Sequence, residues 1–349
     1  MSLLHRKWLV AGATLVVCGL LAGSATASPV PAAFRAESFA ATNTRDWWLK
    51  GDVPCRFRHG CVAMIRTLNG GRSFVRVHVP MLVDLPPNLY AKFAFADSEN
   101  GYIAGARFWD THDGGRHWQS VNLGGQVGSV ATGGGFIYAT VWRKFPRAVL
   151  MRSPVGHDDW IVLYGALDGF EGVSVDHGTV LLDESVTLGG DQRILISHDQ
   201  GANFTYSRPL PEVVCNPDEP VPGTVWMLCS GGMTDLLFRS TDGGYEFSQP
   251  DWDGNPRVAP SLVGLSHSTL GAADATTAVI GSQELLRTTD GGRVFTRLPM
   301  PVAAGGWDVI FLDARHGLAL GLFGESAFPA GRLYYTSDGG ASYYLIPIG

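Results

Sequence analysis

The sequence predicts an all-β fold, a seven-bladed β-propeller. Three observations carry this. One turn sequence returns along the chain at intervals of 42 to 48 residues. Between its copies, short apolar runs alternate with glycine-rich turns, the pattern of antiparallel strands. Beyond the N-terminal segment no stretch holds a helical period, and charged residues make up only 17% of the chain while glycine fills 45 of 349 positions. That balance fits many tight turns rather than long surface helices.

The recurring turn reads Ser/Thr-x-Asp/Asn-x-Gly-x-x-aromatic. Its copies are Thr67-Leu-Asn69-Gly-Gly71-Arg-Ser-Phe74, Thr111-His-Asp113-Gly-Gly115-Arg-His-Trp118, Ser197-His-Asp199-Gln-Gly201-Ala-Asn-Phe204, Ser240-Thr-Asp242-Gly-Gly244-Tyr-Glu-Phe247, Thr288-Thr-Asp290-Gly-Gly292-Arg-Val-Phe295 and Thr336-Ser-Asp338-Gly-Gly340-Ala-Ser-Tyr343. The gap from Asp113 to Asp199 is twice the usual interval, and a worn copy stands midway: Ser153-Pro-Val155-Gly-His157-Asp-Asp-Trp160. It keeps the hydroxyl and the aromatic but has lost the acid and the second glycine. Turn centres then fall at 69, 113, 155, 199, 242, 290 and 338, a period that marks a propeller or a solenoid. The acid accepts backbone N–H groups of its own turn, glycine supplies positive φ, and the aromatic opens the next strand. An acid repeated in every unit is a device of the fold, because an active site needs one asymmetric set. Asn69, Asp113, Asp199, Asp242, Asp290 and Asp338 are therefore read as structural.

Each unit follows the scheme strand A, tight turn, strand B, loop, strand C, acid turn, strand D. The second shows it in Phe93–Asp97, Gly101–Gly105, Ala106–Thr111 and Trp118–Leu123. The last repeats it in Val309–Asp313, Gly317–Gly321, Arg332–Thr336 and Tyr343–Ile348. The first has its own four strands at Glu37–Thr42, Asp46–Lys50, Cys61–Thr67 and Phe74–Val79. Two closures stay open: face packing of blades one and seven without a shared blade, or an edge strand added by Ser28–Phe34.

Ahead of the repeats, His5, Arg6 and Lys7 precede an apolar run from Trp8 to Leu21, and Ala25-Thr26-Ala27 offers a small-x-small exit. This predicts a signal peptide over 1–27, with a propeller over 28–349. The apolar run is short for a bilayer span, so no membrane span is expected after cleavage, and the protein is placed outside the cytoplasm. Cys18 follows Val17, which does not fit a lipobox. Four cysteines remain: Cys55, Cys61, Cys215 and Cys229. An even count in an exported chain predicts disulfides. Three pairings are possible, and the close spacings favour Cys55–Cys61 and Cys215–Cys229. No Cys-x-x-Cys knuckle suggests zinc; no metal and no cofactor are expected. A net charge of −6 argues against sequence-independent nucleic-acid binding, which needs clustered Lys and Arg.

The acid turn, together with the strand–Asp-x-x-x-Gly pattern before it, resembles the BNR or Asp-box repeat superfamily. Within it the chain is similar to propellers of the photosystem II stability and assembly factors, with blades two and seven closest to that pattern. It is similar too to exported sialidase-like propellers. The resemblance spans residues 28–349. It implies the fold, but the same fold hosts hydrolases, receptors and scaffolds.

A sialidase-like site would need an arginine triad, a Tyr–Glu pair and an acid. The usual Phe/Tyr-Arg-Ile-Pro opening has only partial counterparts here, Phe34-Arg35-Ala36-Glu37 and Phe57-Arg58-His59-Gly60. Tyr334 and Tyr335 stand beside a box and are read as packing residues. Asp183, Glu184 and Asp308 are candidate acids that nothing in the spacing pairs. No catalytic residue is assigned. The arginine-rich binding surface of the assembly factors has no match in a net acidic chain. In a propeller, the B–C and D–A loops share one face around the central channel. The candidates there are Arg56, Arg58 and His59 in blade one and Trp142, Arg143, Lys144 and Arg147 in blade three, mixing aromatic and cationic types favoured at interfaces. The expected function is that of an exported, non-catalytic monomer that binds a protein or a glycan through this face. A sialidase-like glycoside hydrolase and an assembly or stability factor for an exported or membrane complex are the alternatives.

Overall fold

A computed structural model describes residues 29–55, 61–80, 92–105, 107–144, 147–168, 172–184, 192–210, 214–230, 235–250, 268–301, 304–323 and 330–348. The expected signal peptide lies outside these residues. Every regular element among them is a β-strand, and neighbouring strands pair antiparallel in chain order. The fold is an all-β propeller.

Among the described residues the strands fall into consecutive sets, called blades below, of which the first and last share one sheet. Blade one is Arg35–Ala41, Trp47–Val53, Cys61–Thr67 and Val75–Val77; blade two is Lys92–Phe95, Gly101–Ala104, Phe108–Thr111 and Gln119–Val121. Blade three is longer, with Gln126–Gly133, Phe136–Lys144, Arg147–Pro154 and Ile161–Asp168. Blade four is Gly172–Asp176, Thr179–Glu184, Arg193–Ser197 and Thr205–Tyr206. Blade five has Val214–Val221, Thr224–Ser230 and Asp235–Ser240, its outer edge reduced to the bridge Arg239–Ser248. Blade six is Thr269–Ala272, Ala278–Gly281, Leu285–Thr288 and Thr296–Arg297, and blade seven is Gly306–Phe311, Gly317–Phe323, Ala330–Thr336 and Tyr344–Ile346.

The first strands touch one another in chain order around the ring, and the first strand of blade one meets the second and third strands of blade seven. First strands are therefore innermost. Blades one and seven each keep their own strands, and a bridge between Ala36 and Gly331 joins them in one eight-stranded sheet.

The core lies between blades. Second strands carry unbroken apolar runs such as Trp47-Trp48-Leu49, Val180-Leu181-Leu182 and Val225-Trp226-Met227, all buried, because both faces of a blade are covered by neighbours. One apolar cluster fills each junction. Trp48, Met64 and Val77 meet Phe95 and Ile103 between blades one and two. Ala36, Trp47, Leu49 and Ile65 meet Leu318, Leu320 and Leu333 where blade one joins blade seven. Trp48 stacks on Phe95 with ring centroids 4.0 Å apart, a contact worth about 0.5–1.5 kcal/mol beyond area burial.

Six boxes form one hydrogen-bond circuit. In blade five the Ser240 hydroxyl donates to Asp242 Oδ1 (2.7 Å) and accepts the buried Gly244 amide (2.9 Å), while Asp242 Oδ1 accepts the Glu246 amide (3.0 Å). The same hydroxyl–acid bond joins Thr67 to Asn69, Thr111 to Asp113, Ser197 to Asp199, Thr288 to Asp290 and Thr336 to Asp338. The second glycine needs its missing side chain: Gly115 has φ +84°, and a Cβ there would lie 2.3 Å from Val77 Cγ1 of the preceding blade. The box thus seals a junction as well as a turn.

The expected disulfides are present. Cys55 and Cys61 bridge with Cα atoms 5.8 Å apart, and Cys215 and Cys229 face each other on the first two strands of blade five.

Candidate functional site

The two faces of the ring are assigned by hydrogen bonds. Box amides reach the A–B turn of their own blade: Gly70 N to Arg45 O (3.0 Å), Gly114 N to Glu99 O (2.8 Å), Gly243 N to Gly223 O (3.0 Å), Gly291 N to Thr276 O (2.9 Å) and Gly339 N to Arg315 O (2.9 Å). Box turns and A–B turns therefore share one face. The strand ends that lead into the B–C and D–A connections lie at the other, the loop face.

On the loop face, the segment 142–147 is not the free loop that its charges suggest. Strand pairing continues through Trp142–Ala148 and Lys144–Arg147, so its described residues belong to two paired strands. Val141 and Trp142 are good strand residues, and they extend the ladder past the point where the charges begin. Trp142 is half-buried against the cluster between blades three and four. A Cβ on Gly128 would lie 2.6 Å from its indole nitrogen, so glycine there makes room for the ring. Arg143 and Arg147 are exposed, and Arg143 Nη2 lies 3.7 Å from Met151 Sδ. The structure thus places Trp142 and Arg143 on opposite faces of one strand end, with Arg147 on the paired strand. Arg56, Arg58 and His59 lie outside the described residues; the Cys55–Cys61 bridge closes the segment that carries them.

Of the candidate acids Asp183 holds backbone in place, and the side chain of Glu184 lies outside what the structure describes. Asp183 is buried, takes the Gln192 side-chain amide, and accepts the Cys215 amide of the next blade (2.9 Å). The sequence draws attention to Asp183 and Asp308 but not to Asp176 and Asp218, which occupy first strands of blades four and five. Asp218 Oδ2 accepts the Ala272 amide of blade six (2.7 Å). Thr269 Oγ1 does the same for Val309 of blade seven (3.2 Å), and Ser129 Oγ for Val173 of blade four (3.4 Å). Side chains of one inner strand thus clamp the next. Burial, then the charge of Asp176, pushes the Asp218 carboxyl up to about 7. Burial raises Asp308 to about 6. Such shifts also mark catalytic acids, but Asp218 is spent on a backbone amide.

Tyr334 is buried edge-on to Trp307, and Tyr335 stacks on Trp47. Both pack, as expected from their place beside the box. On the opposite face, one group of metal-ligating types comes together among the described residues: Asp110, His112 and Asp158.

No family model matches the sequence, and no curated protein matches it. Solved structures do. The fold is similar to YCF48 bound to D1 peptide, with a TM-score of 0.60 and 15% identity over 89% of this chain and 96% of that one. It is similar to YCF48 from Cyanidioschyzon merolae, with a TM-score of 0.51 and 16% identity over 76% and 89%. It also resembles a puromycin-hydrolyzing peptidase of Mycobacterium tuberculosis, with a TM-score of 0.60 and 9% identity over 92% of this chain but 55% of that one. At these identities the likeness is one of fold.

Proposed function

We propose that this chain is an exported, non-catalytic propeller that holds a segment of another protein on its loop face. The observation that carries the reading is the near full-length likeness to a propeller whose structure holds a peptide, YCF48 bound to D1 peptide. Two disulfides support an extracytoplasmic setting, and no helix among the described residues is long and apolar enough to cross a membrane. The strand pair that carries Trp142, Arg143 and Arg147 supplies one aromatic and two cationic groups, suited to an acidic or amphipathic segment. The same likeness favours an assembly or stability role toward an exported or membrane protein. A glycan is the competing ligand for the same face.

The test is crosslinking and capture from the protein's own cell envelope, run beside a glycan array and chromogenic glycosides. The expected result is a protein partner whose capture falls at least fivefold in Arg143→Ser/Arg147→Ser and is unchanged in Asp242→Ala. Glycoside turnover, glycan binding without a protein partner, or capture indifferent to the arginine pair would overturn the reading.

A further inference from the structure

Blades two and three meet on the box face beside the worn turn, and there a carboxylate is buried without a hydrogen bond among the described residues. The Asp110 side chain is fully buried. Neither of its oxygens has a hydrogen-bond partner among the described residues. An ionised carboxylate in that state costs several kcal/mol unless something positive compensates it. Gln119 stands near, but its amide donates to Asp158 instead (2.7 Å).

The groups around Asp110 are ligands. His112 Nε2 lies 3.9 Å from Asp110 Oδ2 and 3.8 Å from Asp158 Oδ1. These distances are too long for hydrogen bonds. They suit atoms that share one divalent ion, since ligands held at about 2.0–2.2 Å stand roughly 3.3–4.2 Å apart. The imidazole is set up to offer a lone pair. The Asn100 side-chain nitrogen donates to both oxygens of Asp97 (3.0 and 2.8 Å), which leaves its Oδ1 as an acceptor. That oxygen lies 2.8 Å from His112 Nδ1. The ring proton therefore sits on Nδ1, and Nε2 is left bare toward the two carboxylates, the arrangement that orients metal-binding histidines.

We infer that Asp110, His112 and Asp158 form a binding site for a divalent transition ion, of which zinc best suits one imidazole and two carboxylates. Mixed nitrogen–oxygen ligands favour such an ion over magnesium or calcium. Asp158 belongs to the turn that lost its box acid at Val155, so the ion would pin the worn turn of blade three to the intact box of blade two. The sequence reading expects no metal because it finds no cysteine knuckle; this site uses none, and Asp158 stands far along the chain from the other two ligands.

The test is calorimetric titration of the chelator-treated full chain with zinc alone, paired with thermal melts. The expected result is saturable one-to-one binding and a higher Tm with zinc. Affinity should fall at least tenfold in His112→Ala and in Asp158→Asn, both exposed enough to leave folding intact. Asp110→Asn should abolish binding if it folds. His117→Ala and His316→Ala remove exposed histidines that pair with Asp113 and Asp313, and binding should survive both. No saturable uptake, calcium bound in preference to zinc, uptake unchanged in His112→Ala, or loss in His117→Ala would overturn the site.

Discussion

The box of blade five and the worn box of blade three occupy equivalent turns and close them differently. In blade five, Ser240 binds its acid and the Gly244 amide, and the next amide back, Gly243, reaches the A–B turn at Gly223. In blade three, the residue matching Gly244 is His157. It lacks the positive φ of the glycines, so its carbonyl, rather than its amide, meets the Ser153 hydroxyl (2.8 Å). The contact to the A–B turn survives one residue earlier, from Val155 N to Gly135 O (3.0 Å). The turn therefore stands without its acid, provided that a buried hydroxyl and a tie to the first hairpin remain. The hydroxyl and the first glycine are common to both turns; the acid and the second glycine belong to the intact box alone.

That difference is open to measurement. The largest effect is expected at the glycine. Gly115→Ala places a Cβ at positive φ and against Val77, costing about 3 kcal/mol from backbone strain and overpacking. His157→Gly should be close to neutral in the same urea titration. Equal effects would break the comparison. Next come the hydroxyls. Ser240→Ala leaves the buried Gly244 amide unpaired, at about 2 kcal/mol. Ser153→Ala strands only the His157 carbonyl, at about 1 kcal/mol. A larger loss in blade three would mean that the worn turn leans on its serine more than an intact box does.

A smaller effect is expected for the acid. The amide that Asp242 caps, Glu246 N, is exposed, so water replaces the lost acceptor. Asp242→Ala should cost about 1 kcal/mol, the low end of what a buried turn would lose. The smallest effect is on acid stability. Bonds from the Asn203 side chain and amide, then from Ser197, hold the Asp199 carboxyl down to about 2. A depressed folded pKa gives stability that is complete above the ordinary aspartate value near 3.9 and lost as pH falls through about 2. Asp199→Asn, which copies the natural Asn69, should therefore reduce the drop in Tm between pH 6 and pH 3. No change in that drop would remove the box acids from the acid-limb account.

Much of this architecture is legible in residue order because it is local. The hydroxyl, acid, glycine and aromatic of each box lie within eight positions, and their bonds form within the turn. The worn copy betrays itself by spacing. Both disulfides join cysteines close in sequence on neighbouring or flanking strands. The loop face is less legible. The charges of Arg143, Lys144 and Arg147 suggest a loop, yet the ladder runs through them, because cross-strand pairing with Ala148 and Arg147 outweighs the local signal. Arg56, Arg58 and His59 lie outside the described residues, and their binding role is an expectation from the sequence alone.

The sequence by itself determined the repeat, the all-β class, the turn chemistry and the cysteine pairing, since each rests on contacts within one blade. Only the tertiary structure decided what happens between blades. It turned Asp183 and Asp218 into clamps on the backbone of the next blade, a role that no spacing along the chain encodes. It set Asp158 of a degenerate turn beside Asp110 and His112 of the blade before it. Junction chemistry depends on which side chains the ring brings face to face, and a repeat of more than forty residues separates those partners along the chain.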